Sequence, residues 1–133
     1  MKNGFKIDIL NPEKSFLSKE DVAEVVVPAF EGNMGILKDH ISIISFLKPG
    51  LLKITDSNAV EETYYVEDGI IEFKNNCLSI LTSNIFNIEK VDKNKVRDIL
   101  NEAKKESQNQ EISDQAKYLV DHKIEVLKSL TLN

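Results

Sequence analysis
The hydrophobic period of this chain changes once, and that change limits the architectures open to it. Up to about residue 88 apolar side chains return every second residue; from residue 91 they return every third or fourth. A period of two marks strands with one buried face, and a period near 3.6 marks amphipathic helices. The chain therefore reads as two consecutive parts, residues 1–88 built of strands and residues 89–133 built of helices.

In the first part, "FKIDIL" sets Phe5, Ile7 and Ile9 on one face and Lys6 and Asp8 on the other. The apolar stretches "VAEVVVP", "SIISFL", "GLLKIT", "VEETYYV", "GIIEFK" and "CLSILT" follow. Asn11-Pro12, Pro49-Gly50, Asp56-Ser57-Asn58, Asp68-Gly69 and Asn75-Asn76 supply turn chemistry between them. Short strands about ten residues apart, with no helix between them, predict an antiparallel β-sandwich or flattened barrel. Parallel pairing is not expected, because this part offers no crossover helix.

In the second part, Val96, Ile99, Leu100 and Ala103 fall at i, i+3, i+4 and i+7. Asp92 stands just before them, where its carboxylate can accept amide hydrogen bonds as an N-cap. After the polar break "ESQNQEIS", Ile112, Ala116, Leu119, Val120, Leu127 and Leu130 mark a second helix. Two helices of about 15 to 20 residues with so short a link are expected to pack as an antiparallel hairpin. Lys123 lies about 20° from Ile112 on a helical wheel, inside the apolar stripe. Either the hairpin docks weakly and moves, or it is a fixed cap whose Lys123 carries its ammonium out to solvent.

The charge distribution removes one class of partner. Residues 1–90 hold nine Lys against fourteen Asp and Glu, and residues 91–133 hold eight basic against eight acidic residues, so the net charge of −5 lies wholly in the first part. Neither part has the basic stripe that nucleic acid requires. No run approaches the roughly 20 apolar residues of a membrane helix. "MKNGFKIDIL" lacks the pattern of an export signal, which points to the cytoplasm.

Catalytic chemistry is also missing from the pattern. His40 and His122 lie in different parts, with no His-x-x-x-His or Cys-x-x-Cys spacing, so no metal site is expected. Asp39 and His40 are adjacent without an accompanying serine nucleophile motif, and the chain has no phosphate-cradling Gly-x-x-x-x-Gly-Lys. Cys77, inside "CLSILT", reads as a small buried hydrophobe. "PAFEGNMGILKDH", residues 28–40, with two glycines and a histidine, reads instead as a surface shaped for another protein.

Two signatures carry a resemblance over nearly the whole chain. Glu31, Gly32, Gly35, Ile36 and His40 precede Lys48, Pro49 and Gly50 at the separations of the epsilon subunit of the bacterial rotary ATP synthase, and "YYVEDGIIEFKNNCLSILT" resembles its second motif. Two departures exist: Lys38-Asp39 replaces the usual Pro-Gly, and Asp68-Gly69 replaces Gly-Gly. The resemblance implies a non-catalytic rotor subunit at the foot of the central stalk, peripheral to the cytoplasmic face of the bacterial inner membrane. It would couple proton-driven rotation of the c ring to ATP synthesis, with no cofactor or metal of its own.

The same resemblance assigns Glu31, Gly32, Asn33, Gly35 and His40 to contacts with the c-subunit ring and the gamma subunit. It implies that the hairpin meets the alpha and beta subunits and restrains ATP hydrolysis, with Lys95, Arg97, Lys117, Lys123 and Lys128 as candidate contacts to beta. Some relatives bind ATP at an Ile-Asp-x-x-Arg-Ala motif; here Val91-Asp92-Lys93-Asn94-Lys95-Val96 stands in its place. Lysine cannot reproduce the planar, two-point grip of arginine on phosphate, so nucleotide binding through Asp92 and Lys95 is disfavoured. The alternative is a free-standing sandwich that binds a small ligand or nucleotide under a helical lid.

Overall fold
The computed structural model describes residues 4–131. Nine strands come first: β1 Phe5–Leu10, β2 Ser15–Ala29, β3 Gly32–Leu37, β4 Ile43–Leu47, β5 Gly50–Asp56, β6 Glu61–Val66, β7 Gly69–Lys74, β8 Cys77–Thr82 and β9 Ile85–Asn87. Two helices follow, α1 Lys93–Ser107 and α2 Asp114–Thr131. The strands pair in the order β1-β8-β7-β4-β2-β5-β6-β9, with β3 added to β2 and the circuit closed by β1 against β2. The result is the flattened sandwich that the period of two predicts.

The long β2 makes closure possible. Its first half pairs with β1 and its second half with β3 and β5. Between the halves, Asp21 takes φ 60° and the register shifts between Val22 and Glu24, a kink that turns the strand from one sheet into the other. Three features depart from the sequence reading. β3 lies in residues 28–40, where no strand was read, β9 was not foreseen, and β1 pairs with β8 in parallel, Ile7 opposite Leu78. A parallel neighbour needs a long connection, not a helix; residues 11–76 supply it.

Period two places the core as expected. Phe5, Ile7 and Ile9 are 0–2% exposed and pack with Val25, Ile36, Leu52, Ile71, Phe73 and Ile80 between the two layers. The adjacent Tyr64 and Tyr65 point to opposite faces. Tyr64 joins that inner core, whereas Tyr65 belongs to a second cluster with Phe86 and the helices' Val96, Leu100, Ala103, Val120 and Leu127. The hairpin thus packs on the outside of β6 and β9, against a stacked Tyr65–Phe86 pair with centroids 4.9 Å apart.

Asp92 is the N-cap of α1, its side chain accepting from the Asn94 amide at 2.8 Å. Ile112 packs against the second cluster but precedes α2, in whose first turn the Ser113 hydroxyl accepts from the Ala116 amide. Cys77 is half-buried rather than enclosed, with Sγ 3.8 Å from Asp8 Oδ2.

Candidate partner-docking surface
The outer face of the β1-β8-β7-β4 layer carries a row of apolar side chains in register. Leu10 stands opposite Leu81, Leu81 opposite Ile70, and Ile70 opposite Phe46, one residue per strand across four strands. They are 44–55% exposed, and Phe30, 42% exposed, sets its ring 6.3 Å from that of Phe46. Taking roughly 180 Å² per side chain, these five present on the order of 400 Å² of apolar surface, as large as the biggest patch on a typical monomer. Beside the row opens a groove of about 550 Å³, lined by Pro12, Phe30, Phe46, Ile70 and Leu81 with Leu119 of α2 on its far side.

Sequence periodicity did not single out this row. Its signal was available: "II" in "GIIEFK" and the apolar pairs in "SIISFL" and "CLSILT" break strict alternation, which places apolar groups on both faces of a strand. A strand covered on one face only would show polar residues at Ile70, Phe46 and Leu81.

Glu31, Gly32, Asn33, Gly35 and His40, assigned to one set of contacts by the resemblance, are not all brought together. Phe30 and Glu31 form a two-residue turn between β2 and β3, closed by the Ala29–Gly32 pair, and Gly32 takes φ 130°, where a side chain would be strained. Glu31 and Asn33 are exposed there, at the same end as Phe30 and the groove. Gly35 is exposed on β3. His40 lies past the other end of β3, about 17 Å further along at strand rise. Its amide donates to the Leu37 carbonyl, its Nδ1 lies 2.8 Å from the Ile41 carbonyl, and its ring stands edge-on to Phe73. Nearby, Asn76 accepts from the Asp39 amide at 2.7 Å and donates to its carboxylate at 2.9 Å, which holds the turn at Lys38-Asp39.

On the hairpin, Lys95, Arg97, Lys117 and Lys128 are exposed. Lys117 bonds Asp121 at 3.2 Å, and the Ser107 hydroxyl donates to the same carboxylate at 2.6 Å, pinning the end of α1 to α2. These two partners hold the Asp121 carboxyl below its ordinary value. Lys123 departs from the fixed-cap expectation that its ammonium reaches solvent: its side chain is 20% exposed and it pairs with Glu67 at 2.6 Å. The cleft of about 590 Å³ between hairpin and sandwich is lined by Glu67, Asp98, Glu102 and Glu106 against Lys105 and Lys123. An excess of carboxylates repels a polyphosphate, in keeping with Asp92 spending its side chain on the helix cap.

Geometry and chemistry together define a strand-built docking module with a helical arm, holding an apolar groove but no convergence of acid, base and nucleophile among the described residues. Comparison with known proteins gives this class its family. Residues 4–88 match the ATP synthase delta/epsilon chain β-sandwich domain, and the chain belongs to that family. It is 68% identical to the ATP synthase epsilon chain of Pelagibacter ubique over 98% of this chain and 99% of that one. The epsilon chain of Dichelobacter nodosus is 34% identical over 79% of this chain and 73% of its own length. The mitochondrial subunit delta of Schizosaccharomyces pombe is 31% identical over 90% and 71%.

Among solved structures, a chain of the Euglena gracilis mitochondrial ATP synthase superposes with a TM-score of 0.73 at 22% identity, covering 96% of this chain and 79% of that one. A chain from the Tetrahymena thermophila central stalk and c-ring assembly gives 0.70 at 17%, covering 98% of each. At these identities the superpositions establish the shared fold.

Proposed function
We propose that this chain is a non-catalytic subunit of the ATP synthase central stalk, coupling rotation of the c ring to ATP synthesis from the cytoplasmic face of the bacterial inner membrane. The observation that carries the reading is the in-register apolar row on an outer sheet face, in a chain that belongs to the delta/epsilon family. That row and its groove take the gamma subunit. The turn at Glu31, Gly32 and Asn33, adjoining the groove, meets the polar loops of the c ring, with Gly35 exposed on the neighbouring strand; His40, at the other end of β3, is left to gamma. No described helix is long and apolar enough to cross a membrane, which suits a peripheral place.

Residues 1–88 carry coupling and residues 89–133 carry regulation, with Lys95, Arg97, Lys117, Lys123 and Lys128 facing alpha and beta subunits when the hairpin is extended. Deleting the chain after residue 90 in the assembled enzyme tests this division. Retained synthesis with raised hydrolysis supports it; loss of assembly refutes it. A free-standing ligand binder is less well supported: the polar side chains in the groove's lining are engaged within the chain, the Thr82 hydroxyl donating to the Glu67 carbonyl and the Ser83 hydroxyl to the Asp68 carboxylate, and the rest of the wall is apolar.

A further inference from the structure
The hairpin rests on the sandwich through a cluster separate from the inner core, so it can leave without opening that core. Burial of aliphatic groups alone would let it dock in several registers; a charge pair within the contact allows fewer. Lys123 Nζ lies 2.6 Å from Glu67 Oε2, and the two side chains are only 20% and 13% exposed. The pair spans the two parts, with Glu67 in the turn between β6 and β7 and Lys123 in the middle of α2.

The acceptor is held rigidly. The Glu67 amide donates to the Asn84 carbonyl at 3.0 Å, and its carbonyl accepts from the hydroxyl of Thr82, a residue 1% exposed, at 2.9 Å. Its carboxylate also accepts from the Tyr65 hydroxyl at 2.8 Å, and Tyr65 is the floor on which α1 and α2 pack. Burial first, then the charge of Glu67, raises the Tyr65 hydroxyl's pKa above its ordinary value, keeping it a donor. Tyr65, Glu67 and Lys123 therefore form one polar chain from floor to arm, a hydrogen bond followed by an ion pair. The cation sits on α2 of the hairpin, and its carboxylate partner sits on the sandwich.

We propose that Glu67 and Lys123 form a latch that sets the population of the docked hairpin. This rests on reading the hairpin as the regulatory part and names the contact that governs it. Removing one partner leaves the other charge poorly solvated while the hairpin is docked, and undocking relieves that penalty; exchanging the charges restores the pair. Because the two side chains meet end to end, the exchanged lysine and glutamate span the same gap, and the Tyr65 oxygen can accept from a lysine.

The full chain tests this with a thiol reporter. In a Cys77→Ser background, Val120→Cys places a nearly isosteric thiol at a 7% exposed position on α2, and its labelling rate relative to a free thiol reads the open fraction. Lys123→Met and Glu67→Gln are each expected to raise the rate at least tenfold, and Glu67→Lys with Lys123→Glu is expected to be slower than either. Smaller single effects, or an exchanged pair as fast as the faster single variant, would overturn the latch. A retained strand signal in circular dichroism establishes that the sandwich stays folded. Glu67→Gln in the assembled enzyme, which keeps Lys123 for its contact with beta, separates the two readings: faster labelling with unchanged ATP hydrolysis leaves the latch standing and removes its regulatory role.

Discussion

Replacing Phe46 with serine removes the largest side chain of the exposed row while leaving the inner core untouched. Phe46 is 55% exposed, so of roughly 200 Å² for a phenylalanine side chain about 110 Å² remains to be covered by a partner. At about 25 cal/mol per Å² that surface is worth up to about 2.7 kcal/mol, or on the order of 100-fold in affinity. Association costs reduce the yield of buried area, so a loss of 10- to 100-fold in affinity for the gamma subunit is expected. The free chain should lose up to about 2 kcal/mol, since roughly 90 Å² of the side chain is already covered, in part by Phe30. Titration calorimetry against purified gamma subunit measures the first quantity and thermal unfolding the second. Tyr118→Ser is the control, a 60% exposed aromatic on the hairpin that should not change the affinity. An unchanged affinity for Phe46→Ser, or an equal loss for Tyr118→Ser, would refute the assignment of the groove to gamma.

Three further outcomes follow from the packing. Leu127→Ala empties a fully buried position in the outer cluster and should cost about 2–5 kcal/mol of hairpin docking, visible as faster amide exchange in α1 and α2 with the strands unchanged. Asp92→Ala removes the cap of α1 and should cost about 1 kcal/mol in denaturant unfolding of the hairpin. Asp121 has a folded pKa below its ordinary 3.8, so its contribution is present above that value and is lost as the pH falls through the lowered one. Helicity followed from pH 5 downward should therefore fall more steeply in the parent than in Asp121→Asn, and equal slopes would exclude the Ser107–Asp121–Lys117 cluster as the cause.

The sequence made the alternating strands and the helical stripe legible because each depends on neighbours within a few residues. Phe5, Ile7 and Ile9 are buried as the period of two requires, and Asp92 caps α1 as its position before Val96 requires. β3 was hidden because Gly32, Asn33 and Gly35 look like turn residues, although they alternate in exposure once paired with β2. β9, three residues long, offers no period to read. The parallel β1–β8 pair and the ion pair of Glu67 with Lys123 join positions dozens of residues apart, and nothing local encodes either. The docking row falls between these cases: its doubled apolar residues were visible, but their alignment across four strands is a property of register alone. Glu31 and His40 were singled out together in the sequence, but the length of β3 sets them at opposite ends of the strand.

Hydroxyl-radical footprinting of the chain, alone and mixed with the gamma subunit proposed to bind it, reads side-chain exposure at the apolar row. A one-to-one complex in which oxidation of Phe30, Phe46, Ile70 and Leu81 falls together, while that of Tyr118 holds, is the predicted result. Absence of a complex, or protection that leaves those four side chains as reactive as before, would contradict it.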